Sequence, residues 1–167
     1  MKKVLVVGSS VVDLCFYAER IPAVGETIAG SFQQGLGGKG FNQAVASALA
    51  GVPTAFLTAL GQDSFAPVFR ARLTELGIQH EVEEVPAATG AAAISIDKQG
   101  RNNIIVALGA NEKMTPKFLE SRKAFFDDAA VVLLQFETNL DVVGAALWLA
   151  KKAGAFTILN PAPGIAN

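Results

Sequence analysis

Val4-Leu5-Val6-Val7-Gly8 runs without a polar residue, is rich in valine and stops at glycine. A strand with one wet face alternates apolar and polar residues, so an unbroken run belongs to a strand covered on both faces, central in a parallel sheet. Three similar runs recur, Thr54 to Leu60, Ala130 to Leu134 and Phe156 to Leu159, each preceded by a helical pattern: Phe41 to Ala50, Ser64 to Leu76 and Leu140 to Ala153. Strands alternating with helices predict a layered α/β fold. Between Leu60 and Ala130 the rhythm changes. Ile78 to Val85, Ala91 to Ile96 and Asn102 to Leu108 lack intervening helices, and Lys98-Gln99-Gly100-Arg101 reads as the turn of a hairpin. Leu14 to Ala18 and Thr27 to Gln34 also lack a helix. With the hairpin they are expected to form a small separate sheet over one end of the main one, moving on hinges at Gly25, Gly35 and Gly109.

The 167 residues carry 14 Lys plus Arg against 15 Asp plus Glu, a formal net charge of -1. That balance, without a basic run, argues against binding nucleic acid through phosphate neutralisation. Hydrophobic residues make up 51% and charged residues 17%, where a typical soluble domain has about 25% charged. Either the core is large or a partner surface is missing. Cys15 alone forms no internal disulfide, and with His80 as the single histidine there is no cluster for structural zinc. A reducing, cytoplasmic setting is expected. The apolar start is interrupted by Gly8-Ser9-Ser10 and Asp13 too early for a signal peptide. Val142 to Ala150, the longest later run, falls far short of the ~20 residues that span a bilayer, so no membrane partner is expected.

Open α/β sheets bind ligands beyond the carboxyl ends of their strands. There lie Ser9, Ser10 and Asp13, then Gly61, Gln62 and Asp63, then Gln135 and Glu137, then Asn160. Asp13 and Glu137 are the carboxylates best placed to face one cleft. Two readings stay open for them: acceptors of paired sugar hydroxyls, or caps and turn formers. Gly35-Leu36-Gly37-Gly38-Lys39-Gly40-Phe41-Asn42 opens a helix with four glycines around one lysine. Backbone there must approach something closely. The helix amides attract anions or hydroxyl oxygens, and Lys39 and Asn42 add directed donors; a mobile turn with a solvated lysine is the alternative. Gly35, Gly37 and Gly40 also match the dinucleotide spacing G-x-G-x-x-G, with Asp63 near the place of a ribose-binding acid. The preceding segment reads as exposed rather than as a buried first strand, so the context test fails. A P-loop fails because Gly40 follows Gly38-Lys39 where Ser or Thr is required. His80 reads as a solvated strand residue, Cys15 as a partly buried side chain, and Trp148 as core.

Gly37-Gly38-Lys39-Gly40-Phe41-Asn42-Gln43-Ala44 resembles the first signature of the ribokinase-like, phosphofructokinase B type carbohydrate kinase family. Val6-Val7-Gly8-Ser9 with Asp13, Pro22 to Thr27, Gly61-Gln62-Asp63, Thr89-Gly90, Gly109-Ala110-Asn111, Gln135 to Glu137 and Leu159 to Pro163 recur in the family's order. The resemblance implies an αβα sandwich with a mostly parallel sheet and a β lid (segments 14–35 and 91–108) that closes on sugar and assists a homodimer. Asp13, Gly37, Gly38, Lys39, Asn42 and Glu137 fall on sugar-binding positions. Val11 departs from the pattern, since ribokinases carry asparagine there.

The family's second signature, an anion hole ending in the catalytic aspartate, has no counterpart in this sequence. The expectation is therefore that residues 1–167 are the amino-terminal, sugar-binding half of an ATP-dependent sugar kinase, truncated on the C-terminal side and inactive alone. ATP, Mg2+ and a monovalent cation such as K+ are implied for the full-length enzyme, with none bound tightly by this half. A nucleoside kinase of the same superfamily, an NAD-dependent oxidoreductase domain and a non-catalytic sugar-binding module are the alternatives.

Overall fold

The computed structural model describes residues 2–164. Five strands form the main sheet: β1 (Lys3–Val7), β4 (Thr54–Leu60), β5 (Gln79–Glu84), β8 (Ala129–Gln135) and β9 (Phe156–Asn160), in the order β5-β4-β1-β8-β9 with every pairing parallel. The opening run of valines and leucine is thus the central strand. Its side chains alternate between two cores, as the pleat requires. Val6 joins Phe41, Ala44, Phe56, Phe69 and Leu73 beneath α1 (Lys39–Leu49) and α2 (Ala66–Glu75). Leu5 and Val7 join Phe118, Leu119, Phe126, Val142, Ala146 and Leu149 beneath α3 (Pro116–Glu120), α4 (Lys123–Asp127) and α5 (Leu140–Ala153). Helices on both faces make the αβα sandwich.

The second sheet contains β2 (Val11–Ala18), β3 (Ser31–Gly37), β6 (Gly90–Asp97) and β7 (Asn102–Ala107), in the order β3-β2-β6-β7. β2 runs parallel to β6 and the other pairs are antiparallel. The turn of the β6–β7 hairpin is closed by Asp97, whose carboxylate accepts from the amides of Gln99 and Arg101 and from Arg101 Nε.

Several expectations need correction. Ile78 to Val85 is no outlier: β5 is an edge strand of the main sheet, because α2 leads back to it as an ordinary β-α-β crossover. The crossover into β8 is instead a short 3-10 turn, Gly109–Lys113, followed by α3 and α4. The lid runs deeper into the sequence than 14–35 and 91–108. Asp13 lies inside β2, and Gly35 and Gly37 lie inside β3, paired with Asp13 and Val11. Gly35 is therefore no hinge, and Gly25 sits in the loop between β2 and β3. Of the three glycines only Gly109, with φ 54°, lies where lid meets core. Trp148 is 52% exposed, with the Lys152 ammonium 3.7 Å from its ring centroid, and is not core. Among the described residues no helix is long and apolar enough to cross a membrane. The expected sequence end at Ile165, Ala166 and Asn167 lies outside the described residues.

Candidate active site: the cleft beneath the small sheet

At the carboxyl end of β1 the chain turns through Gly8-Ser9-Ser10 directly into β2, and α1 starts against that turn. The approach is backbone on backbone. A Cβ on Gly40 would stand 2.5 Å from the Ser9 nitrogen, and one on Gly38 would stand 2.9 Å from the Ser9 oxygen at a φ of 94° that side chains rarely adopt. This is the physical content of the glycine block. The same turn is held from behind by Asn111, fully buried, whose Oδ1 accepts from the Ser10 amide (2.9 Å) and whose Nδ2 donates to the Ser10 and Leu108 carbonyls.

The free amides at the start of α1 are met by protein groups. The Lys39 amide donates to Glu137 Oε2 (2.7 Å), the Gly40 amide to Ser9 Oγ (3.3 Å) and the Phe41 amide to the Ser9 carbonyl (2.9 Å). Glu137 Oε2 also accepts from Ser9 Oγ (2.6 Å), and Oε1 from Lys39 Nζ (2.7 Å). A carboxylate at a helix N-terminus with an ammonium beside it is doubly stabilised. Burial pushes the Glu137 carboxyl up, but the Lys39 ammonium, the Ser9 hydroxyl and the Lys39 amide outweigh it and hold it below its ordinary value. The reading of these amides as a free anion cradle is thereby corrected, because Glu137 already fills it.

Asp13 is the opposite case. Among the described residues no protein donor stands within hydrogen-bond distance of its carboxylate, and burial, together with the negative charge of Glu137, raises its pKa above the ordinary value. An under-partnered carboxylate facing a cleft is an acceptor waiting for donors. Asp13, Lys39, Asn42, Gly38 and Glu137 all line one cavity of about 230 Å³, closed on the other side by Val11, Ala92, Ile94, Ile104 and Val106 of the small sheet. Its volume lies below the ~300–1,000 Å³ of drug-sized sites, which suits a small polar molecule. Gly37 stands beside it: a Cβ there would meet Asp13 Oδ2 at 2.3 Å. The six residues singled out in the sequence are thus brought together. A larger cavity, about 370 Å³, lies against the outer part of the lid by Phe16, Tyr17, Arg20 and Phe32. It holds no carboxylate, and we place the chemistry in the smaller one.

Sequence reasoning passed over Ser9 as a site residue and missed the aliphatic wall. The signal for Ser9 was its place between Gly8 and the glycine block, where only a short polar side chain could reach two partners. Asp63 has a structural duty. It accepts from the Phe65 and Ala66 amides and, through both oxygens, from the amide and hydroxyl of Thr89. It is not available to a ribose, and Gly35 and Gly37 lie in a lid strand, so the dinucleotide spacing carries no cofactor site. A nucleotide triphosphate does not fit the start of α1, where a carboxylate already caps the amides. Among the described residues no group of His, Cys, Asp or Glu could hold a metal ion.

A parallel sheet covered on both faces, with a polar cleft at its carboxyl end under a separate small sheet, defines a layered α/β protein whose candidate site lies where open sheets of this kind bind ligands. The chain belongs to the pfkB family carbohydrate kinases, whose family model matches residues 1–166. It is 36% identical over 165 residues to the deoxyribokinase of Salmonella typhi, covering 97% of this chain and 54% of that protein. It is 36% identical over 167 residues to the ribokinase of Mus musculus, covering 98% and 52%. The structure of Arabidopsis thaliana ribokinase complexed with ribose and ATP superposes with a TM-score of 0.82 at 31% identity, covering 96% of this chain and 54% of that one. The chain thus spans about half the length of these relatives.

Proposed function

We propose that residues 1–167 form the sugar-binding half of an ATP-dependent carbohydrate kinase, and that Asp13, Gly37, Gly38, Lys39, Asn42 and Glu137 build the sugar site. One observation carries this reading: β2 and α1 deliver an under-partnered carboxylate, Asp13, and two directed donors, Lys39 and Asn42, to one small cleft that also holds Glu137 from far along the sequence. Asp13 accepts hydroxyl hydrogens, Asn42 and Lys39 donate to ring or hydroxyl oxygens, and Glu137 fixes Lys39 and the start of α1. Gly37 and Gly38 keep the space open.

Phosphorylating a sugar hydroxyl needs a base for its proton and donors for the charge on the transferring group. The carboxylates near the cleft are spoken for. Glu137 holds three donors, Asp63 holds the loop after β4, and Asp13 is used in binding. The base, the nucleotide site, Mg2+ and the monovalent cation are therefore assigned to residues outside 1–167. A missing general base forfeits about 10²- to 10⁴-fold in rate. The chain by itself is expected to bind a pentose or hexose but to release no sugar-dependent ADP with ATP, magnesium and potassium. Titration calorimetry and a coupled ADP assay test this. Turnover by contaminant-free chain would overturn the division of labour, and no binding of any sugar would overturn the site. A homodimer through the lid is supported by the exposed aromatic pair Phe16 and Phe32, centroids 5.1 Å apart, and by Ile105, 77% exposed.

A further inference from the structure

The outer face of α5 carries a pattern that is complementary to itself. Leu140, Gly144, Trp148 and Lys152 follow at spacings of four and so run as one stripe along the helix. Among the described residues nothing packs over it: Leu140 is 56% and Trp148 52% exposed, and a Cβ on Gly144 would meet nothing within 4 Å. A large indole one turn from a bare glycine puts a knob and a hole on the same surface. Charge is divided between the ends, with Asp141 in the first turn and Lys151 and Lys152 in the last, all exposed. Gly144 with Trp148, Asp141 with Lys151, and Leu140 with Lys152 are each centred on the level of Ala146. A two-fold axis at that level, at right angles to α5, therefore matches all three pairs at once. It sets Trp148 of each copy on Gly144 of the other, Asp141 beside the opposite Lys151, and Leu140 along the opposite Lys152 stem. A parallel pairing would instead place Asp141 against Asp141 and lysine against lysine.

We propose that α5 is a self-recognition surface, on which two copies of this chain pack antiparallel with Trp148 of each seated over Gly144 of the other. The inference stands apart from the sugar-binding reading above. An aromatic anchor entering a gap that only glycine leaves open is the kind of contact that dominates small interfaces, and the oppositely charged ends fix its direction. One 14-residue helix from each copy buries less than the ~1,200 Å² of standard interfaces, so the pairing is weak and reversible.

Trp148 is the single tryptophan of the chain, so its emission reports on this face, and association through the lid or the β9 edge leaves the indole in water. The test is tryptophan emission with sedimentation equilibrium over a concentration series, on the native chain, on Gly144→Gln, on Asp141→Lys, and on Lys151→Asp with Lys152→Asp. The expected result is an emission maximum that moves to the blue as dimers form. Gly144→Gln favours the helix while filling the seat, so it is expected to raise the melting temperature and yet weaken the dimer at least about tenfold. Each charge variant alone sets like charges together and pairs less. Mixed, the two restore a dimer, because both ends are then oppositely charged, and that rescue is independent of any stability lost by reversing charge at a helix end. Should a charge variant fail to fold, Gly144→Gln still decides. An emission maximum that stays in place at every concentration would overturn the proposal, whether or not dimers form elsewhere. So would Gly144→Gln pairing as tightly as the native chain, or folded charge variants that fail to pair when mixed.

Discussion

Asp13 and Glu137 face one cleft with opposite electrostatics, and their variants should behave oppositely. Asp13 is raised above its ordinary value, so its contribution to stability is present below the unfolded value and is lost as pH rises through the folded one. Asp13→Asn is expected to raise the melting temperature of the sugar-free chain while abolishing sugar binding, as thermal unfolding and calorimetry would record. Because binding uses the ionised form, affinity should fall as pH drops through the raised value, and Asp13→Asn should not share that profile. Glu137 is depressed; its contribution is present above the ordinary value and fades as pH falls through the lowered one. Ser9→Ala removes one of three donors to this buried carboxylate, costing about 1–3 kcal/mol of stability, measurable by urea titration. Asn42→Ala, on an exposed side chain, is expected to leave stability within about 0.5 kcal/mol and weaken sugar binding. Equal destabilisation in both variants would contradict this assignment of roles. The pairing of carboxylates was legible from their places after β1 and β8. Their division into a held group and an under-partnered one was not, because it depends on Ser9 and Lys39 arriving across up to 128 residues of sequence.

Among the elements, α5 carries its instructions locally. Asn139 caps it by accepting from the Val142 amide (3.0 Å), Asp141 sits in the first turn, Lys151 and Lys152 in the last, and Gly154 ends it at φ 70°. Asn139→Ala is expected to cost about 0.5–2 kcal/mol, at the upper end because its Nδ2 also donates to the Glu112 and Met114 carbonyls; chemical denaturation measures it. Such helices were legible to within a few residues. α3 and α4, five residues each, were not, since a helical period needs a longer window to declare itself. β5 was left without a sheet, because its polar residues do not read as the buried run of the other core strands and suit only an edge. The lid strands were found by their want of crossover helices, but pairing Gly35 with Asp13 pulled two glycines out of the loop and into the sheet.

For the whole molecule, β9 is the telling strand. It closes one edge of the main sheet with Phe156 69%, Ile158 47% and Leu159 37% exposed, so an unpaired edge and apolar side chains on both faces meet solvent together. Concentration-dependent self-association is expected in sedimentation velocity, reduced by Phe156→Ser with Ile158→Lys; a monomer at all concentrations would refute it. The composition had hinted at this through its low charge, though only the strand order shows that the apolar β9, unlike the polar β5, carries its exposed side chains at an edge. The cap on α1 has a different consequence, for biosynthesis. Glu137 lies 98 residues beyond the Lys39 amide it accepts from, which at about 5–20 residues per second is roughly 5 to 20 s of translation. For that interval the glycine-rich start of α1 exists on the ribosome without its carboxylate. The ordering of this first turn therefore waits on residues made well after it, although the residues that form it emerge early.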